Sequence, residues 1–360
     1  WGDAEYLPGM YNIQQPTIRP IGDTRSIGFN LMTWAYFLEK GPARLNELES
    51  WYDYVRWTWK NRLNALSGDF ERSWVALLQA GFVDTKESQR ERDFTARRFR
   101  MDALSQVKKS NTKSSNYELS LYQKSAIGDG AMANMPWLQE MPDPVTKNTW
   151  ENYLTISYAT AKKEKLKDGD IVSLEVDGKK LKVPVFVQIG QEDSTLGLAV
   201  GYGHSWGKVA KGLGVNAWNL AKMTRDEMVT AALPASFTKT GEKTQIANTQ
   251  GHHHMEGRSI VVEATLKDYL KNPASGIHKH KIFSIWPKHE YKGHKWGMTI
   301  DQNACIGCSA CVVACQSENN IPVVGKKYVL EGREMQWMRI DRYYSGSALH
   351  DDIPKDPEVY

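Results

Sequence analysis

Four thiols within eleven residues are the side chains of this sequence best placed to do chemistry. Cys305, Cys308, Cys311 and Cys315 are the only cysteines in the 360 residues. They lie in W-G-M-T-I-D-Q-N-A-C-I-G-C-S-A-C-V-V-A-C-Q, residues 296 to 316. Their spacing is C-x2-C-x2-C-x3-C, the run that ligates iron–sulfur clusters. Three thiolates two residues apart can wrap a loop around one face of a cubane. Gly307 lets that loop turn tightly and brings backbone N–H groups towards the sulfides. In two-cluster proteins with this spacing the fourth cysteine ligates the other cluster. The expectation is therefore that Cys305, Cys308 and Cys311 share one cluster and Cys315 reaches a second.

Two other chemistries are weighed against this. Zinc sites usually draw on two separated C-x2-C hooks or mix in histidine. Disulfides among cysteines this close would close strained or tiny loops. The cluster reading has a consequence, because a complete cubane needs four ligands and the chain holds no further cysteine. The complementary cysteines are expected beyond Tyr360. The chain reads as a piece of a longer one: it starts at Trp1 and ends in D-P-E-V-Y.

Composition sets broad bounds. At 360 residues there is room for two or three domains, and 41% hydrophobic residues suffice for real cores. A charge of +4, from 46 basic and 42 acidic residues, gives no nucleic-acid patch. No apolar run approaches the ~20 residues that span a bilayer. Membrane association would have to come through partners. The 13 tryptophans fit packing against neighbours as well as ordinary cores.

The elements that must position the thiols follow along the chain. Residues 1–25, with prolines at 8, 16 and 20, predict an extended ordered loop. A short helix is expected from Ile27 to Leu38, stopped by Gly41-Pro42. Apolar residues recurring from Arg44 to Leu66 predict an amphipathic helix, and Asp69 to Ala80 a second one stopped by Gly81. Their aromatic stripes are expected to be core. Lys108 to Asn116 is polar and predicts a surface loop. Tyr117 to Gln123 alternates like a strand, and residues 128–144 form a long irregular segment. A new pattern begins at Thr155–Tyr158, followed by a short helix through Ala161 to Leu166. Ile171–Val176 and Leu181–Val187 around Asp177-Gly178 predict a hairpin. Leu196 to Val200 is a further strand leading into G-Y-G-H at 201–204. Together these predict a β-barrel, and no G-x-G-x-x-G opens a helix here.

His252, His253 and His254 sit in a polar segment and are assigned no chemical role, because ligand sets draw on spaced residues of defined elements. The same holds for His278, His280, His289 and His294 in the connector from Gly276 to Trp296. Met298–Ile300 is expected to feed the cysteine loop as a strand. Ser309–Asn319 is expected to leave it as a helix ended by Ile321-Pro322, and Met335–Tyr343 to return as a strand.

Two resemblances bear on these segments. P-W-L-Q-E-M-P-D-P-V-T-K-N-T-W-E-N-Y through L-K-D-G-D and V-G-Y-G-H resembles the C-terminal double-psi barrel of molybdopterin oxidoreductases. T-Q-G-H-H-H-M-E-G-R-S-I looks like the end of that domain, and W-G-D-A like the family's central region. H-K-W-G-M-T-I-D-Q-N-A-C-I-G-C-S-A-C-V-V-A-C-Q-S-E-N-N-I-P-V-V-G-K and R-E-M-Q-W-M-R-I-D-R-Y-Y, fused behind such a barrel, resemble the large iron–sulfur subunit of bacterial alternative complex III.

That resemblance implies an α+β multidomain chain. Residues 1–125 would be a helical and mixed remnant of the molybdopterin-oxidoreductase-like central domain, and 126–275 the double-psi barrel. Residues 276–297 would be a linker and 298–360 a ferredoxin-like [4Fe-4S] half-domain. It implies [4Fe-4S] clusters, with one [3Fe-4S] in the full subunit as a further expectation, and no molybdenum. It carries over Cys305, Cys308, Cys311 and Cys315 as ligands and no catalytic residue. It implies membrane quinol-binding subunits, multihaem and monohaem cytochrome c subunits and a terminal oxidase as partners, no nucleic acid, and a peripheral place on the periplasmic face of the bacterial inner membrane. The function implied is electron relay in a respiratory quinol oxidoreductase. The alternatives are a catalytic molybdopterin oxidoreductase with a fused ferredoxin, and a structural subunit whose barrel docks partners.

Overall fold

The computed structural model describes residues 1–20, 22–41, 45, 47–84, 102–103, 116–225, 227–277, 283–344 and 357–360. Pro42, Arg44, residues 108–115, His278 and His280 lie outside them. The chain divides into two compact units, Trp1–Lys109 and Ser110–Tyr360.

In the first unit, β1 (Gly2–Leu7) and β2 (Met10–Gln14) form an antiparallel hairpin. This corrects the extended loop expected for residues 1–25. Pro8 reads as a breaker in the sequence, but with Gly9 it makes the two-residue turn. Proline presets φ at the first turn position and Gly9, at φ 79°, takes the left-handed second one. Helix α1 (Ile27–Phe37) is capped by Ser26. Helix α2 spans Trp51–Ser67 and α3 Phe70–Ala80. Strand β3 (Phe82–Asp84) completes a sheet of order β1-β2-β3.

The expected start of α2 at Arg44 moves to Trp51, because the Ser50 hydroxyl accepts from the Asp53 N–H at 3.2 Å and caps the helix there. Helix α3 begins at an Asp69 cap and ends at Gly81, φ 76°, as its sequence predicts. Trp59, Leu63, Trp74, Leu77, Val55 and Ile13 are the buried core of this unit, so the aromatic stripes are packing.

The second unit is built on a closed barrel. Its elements are β4 (Tyr117–Tyr122), α4 (Pro136–Glu140), β5 (Leu154–Ser157) and α5 (Tyr158–Glu164). Next come β6 (Asp170–Val176), β7 (Lys179–Gln188) and β8 (Thr195–Ala199). A two-residue ladder, β9 (Lys222–Met223) with β10 (Met228–Val229), precedes the long β11 (Leu233–Lys243). The barrel order is β11-β4-β8-β5-β7-β6. β4 pairs with β8, and β5 with β7, in parallel; the other ladders are antiparallel. The β6–β7 hairpin turns at Asp177 (φ 50°) and Gly178 (φ 77°), the two left-handed positions of a tight twisted turn.

Strand β11 closes the barrel, pairing with β4 through residues 233–235 and with β6 through 235–243. It is polar on its outer face and carries Pro234 and Gly241, which hide it in the sequence. Leu119, Leu154, Ile156, Val172, Leu174 and Leu198 fill the interior with no exposed surface. Strand β4, within the 1–125 stretch expected as the central-domain remnant, belongs to this barrel.

Helices α6 (Leu266–Lys271), α7 (Ala310–Glu318) and α8 (Lys326–Leu330) follow the barrel. Helix α7 is the one expected after the cysteine loop. The strands expected at Met298–Ile300 and Met335–Tyr343 are not present. A strand needs a partner ladder for its backbone groups, and among the described residues neither run has one. Segment 298–344 packs within the barrel unit.

Candidate metal centre

The cysteine loop begins at a turn in which Asp301 Oδ1 accepts from Asn303 N–H at 3.0 Å and Asp301 O from Cys305 N–H at 2.9 Å. Cys305 is exposed, and Cys308, Cys311 and Cys315 are half-buried. All four are free thiols, with no disulfide among them. Gly307 takes φ 68°, and its N–H points at Cys305 Sγ, 3.4 Å away. Ser309, φ 60°, turns the chain into α7. Cys311 and Cys315 sit four residues apart on α7 and so share a helix face. Asn319 Nδ2 donates to Cys315 O at 2.9 Å and to Cys315 Sγ at 3.5 Å.

The donor set fits an iron–sulfur cluster in kind. It offers four soft ligands in the required spacing, and N–H donors face two of the sulfurs. The sulfurs are not gathered: among the described residues no group of three or more His, Cys, Asp or Glu is placed to hold a metal ion.

What positions this loop is a stretch of the barrel unit, residues 139–153. Val313 of α7 packs on a cluster containing Ile127, Met141, Ala199 and Tyr202. Helix α4 lies against α7. Glu140, with no exposed surface, accepts from Val324 N–H at 3.1 Å, Gly325 N–H at 2.8 Å and Trp150 Nε1–H at 3.1 Å. Burial pushes the Glu140 carboxyl up; these three N–H groups pull it down, and the Glu334 carboxylate adds a smaller upward push. Lys326 Nζ pairs with Glu151 Oε1 at 2.7 Å.

Further along, Lys147 Nζ donates to Ile340 O at 2.6 Å. Arg342 Nε donates to Val145 O at 2.6 Å. Gln250 accepts from Arg342 N–H at 3.1 Å and donates to Arg342 O at 2.7 Å. The sequence marks residues 136–153 only as barrel. Three acids, Glu140, Asp143 and Glu151, around Lys147 and beside two tryptophans are the available signal for this second role.

Next to this mount, Lys124 is 5% exposed and its Nζ lies 4.3 Å from the Tyr153 ring centroid. It donates to Glu151 O at 3.3 Å. Burial lowers the Lys124 amine to about 8, against the pull of the Asp143 and Glu151 carboxylates. Burial likewise raises the phenols of Tyr122, Tyr153 and Tyr202.

The Gly201–His204 turn is tightly packed. A Cβ on Gly203 would meet Asn216 N at 2.2 Å. The histidine trio is used structurally: His253 O accepts from Tyr344 N–H at 2.9 Å, His254 Nδ1 from Glu256 N–H at 2.9 Å, and His252 Nε2 meets Glu256 Oε1 at 3.1 Å.

Comparisons with known proteins centre on the same loop. Residues 296–317 match a 4Fe-4S binding domain. The iron–sulfur cluster-binding subunit of menaquinone reductase from Nitratidesulfovibrio vulgaris is 70% identical over 27 residues, 8% of this chain and 11% of that one. The B component of polysulfide reductase from Wolinella succinogenes is 64% identical over 28 residues, 8% of this chain and 15% of that one. The iron–sulfur subunit of arsenate respiratory reductase from Chrysiogenes arsenatis is 54% identical over 26 residues, 7% of this chain and 87% of that sequence. The chain thus spans a small part of the length of the first two relatives. Acetylene hydratase from Pelobacter acetylenicus aligns with a TM-score of 0.26 and 12% identity over 33% of this chain and 18% of that one, too low for the two folds to be equated. Among the described residues no helix is long and apolar enough to cross a membrane.

Proposed function

We propose, from the premise that its 296–317 segment belongs to the 4Fe-4S binding domain family together with the iron–sulfur subunits of respiratory reductases, that this chain is an electron-relay subunit. The observation that carries the reading is the C-x2-C-x2-C-x3-C run inside that matched segment. Cys305, Cys308 and Cys311 would hold one cluster, and Cys315 would belong to a second completed by cysteines from elsewhere. A bound cluster supplies one-electron transfer. The residues of this chain supply thiolates and N–H donors. The Gly307 N–H and the Asn319 amide favour charge on the Cys305 and Cys315 sulfurs, which eases addition of an electron. Ligation would draw the exposed loop inwards, since metal binding and local folding are coupled.

The finer reading rests on the resemblance to alternative complex III. In it the subunit lies on the periplasmic face of the bacterial inner membrane, held by quinol-binding membrane subunits. It passes electrons from quinol to cytochrome c subunits or a terminal oxidase. The barrel is of the double-psi kind, following a molybdopterin-oxidoreductase-like remnant, and carries no molybdenum. Six strands with two parallel pairings support that barrel type.

Metal and acid-labile sulfide analysis of the native complex tests this. Iron and sulfide without molybdenum are expected. Molybdenum at one per chain would point instead to a catalytic molybdopterin oxidoreductase, and a working protein without iron to a docking subunit.

A further inference from the structure

The strongest unassigned feature is the carboxylate of Glu140. A buried carboxylate without partners is costly, and one that accepts several N–H bonds can be held charged in the interior. Glu140 accepts from two consecutive backbone N–H groups, Val324 and Gly325, and from the Trp150 indole. Val324 and Gly325 lie 9 and 10 residues after Cys315 in sequence. They are therefore in the strap that carries the chain away from the cysteine helix.

Independent contacts fix the same strap to the same stretch. Lys326, next in the chain, pairs with Glu151. Val323 and Val324 pack with Val329 against Trp150. Trp150 sits at φ 68° and Lys147 at φ 60°, left-handed conformations that ordinary side chains rarely take. Such strain persists where the surroundings over-determine the conformation, and it clusters at sites with a task. Here both strained residues reach the cysteine-bearing segment, Trp150 through Glu140 and Lys147 through Ile340 O.

The cysteine helix is thus held directly at one point and through its following strap at another. Val313 packs on the barrel side, and the strap after the helix is held by Glu140. Among the described residues the segment has no strand ladder of its own. Its position must come from what it is packed upon.

We propose that Glu140 is a positioning residue for the cysteine loop, fixing α7 through the 323–326 strap so that the barrel sets the surroundings of whatever the thiols ligate. This rests on the iron–sulfur reading for its redox consequence, but not for its structural part. Both Val324 N–H and Gly325 N–H are committed to one side chain. Replacing the carboxylate by an amide should loosen them locally while leaving the barrel ladder intact.

The test compares Glu140→Gln, Glu140→Asp and Trp150→Phe in the intact complex. Amide exchange at Val324 and Gly325 should quicken about tenfold or more in Glu140→Gln. The cluster's paramagnetic signal and midpoint potential should shift, and Glu140→Asp should restore part of both. Should Glu140→Gln fail to fold, Trp150→Phe, which removes only one donor, should show the same changes more weakly. Wild-type exchange, spectrum and potential in the folding variant would overturn the proposal. So would a lowered melting temperature with unchanged spectrum and exchange, since that is a merely structural role. If the wild-type complex holds no iron, the iron–sulfur reading fails by itself. The exchange rates, with the alkylation rates of Cys311 and Cys315, then still decide about Glu140: faster in Glu140→Gln supports it, unchanged overturns it.

Discussion

The barrel and the cysteine-bearing segment are held by different physics, although they pack as one unit. In the barrel each strand has partners on both sides, and Leu154, Ile156, Leu196 and Leu198 are fully buried. From 296 to 344 the strand-type pairing among the described residues is confined to isolated bridges at Tyr344, and Trp296, Ile306 and Trp337 are 92%, 81% and 67% exposed. The first region is specified by its own apolar alternation. The second is held by the side chains of Glu140, Lys147, Glu151 and Gln250. A barrel closed on its own ladders therefore serves as mount for a segment whose Trp296, Ile306 and Trp337 stay exposed.

The largest expected effect lies where the barrel cannot yield. Gly203→Val places a side chain on the Asn216 backbone, so the variant should fail to accumulate folded protein. If it folds, it should keep the cluster signals of the proposed relay; a folded variant that had lost them would make the 201–204 turn a working site.

Next, Leu198→Ala should cost about 2–5 kcal/mol of barrel stability in denaturant titration. Trp337→Ala, in the exposed segment, should cost less than about 0.5 kcal/mol. Equal losses would erase the contrast between the two regions.

Lys124 gives a pH signature. Its amine has an ordinary value of 10.5 and is held at about 8 in the folded chain. Between those two values the unfolded chain binds more protons, so this group makes stability rise with pH from about 8 to 10.5. Lys124→Met should flatten that rise, by up to about 3 kcal/mol across the window, read as melting temperature against pH. An unchanged profile would place the amine in water.

The smallest effect is expected at the barrel surface. Lys182 and Glu242 pair at 2.6 Å with both side chains more than half exposed. A double-mutant cycle should return about 0.2–1 kcal/mol, falling with salt.

The contrast also explains what the sequence shows by itself. Alternation and turn residues are enough for β4 and β6 to β8, because their core faces carry Val and Leu. Side-chain caps at Ser26 and Asp69 start α1 and α3, whereas α7 has none. Pro8 misleads, since the same residue that breaks a strand also sets a hairpin turn. β11 stays hidden because most of its stabilisation is the ladder it completes, which a polar sequence does not advertise. The thiols are legible from spacing alone. Glu140 and Trp150 are not, because their role depends on contacts with residues about 180 positions away and on a left-handed backbone at Trp150.

The most direct test of the central claim is a redox titration followed by electron paramagnetic resonance on the native complex carrying Cys308→Ser or Cys315→Ser. Each variant is expected to lose or alter a different cluster signal if, as proposed, Cys308 and Cys315 serve different clusters. Loss of the same single signal in both, or a stable cubane bound by all four cysteines of this chain alone, would contradict it.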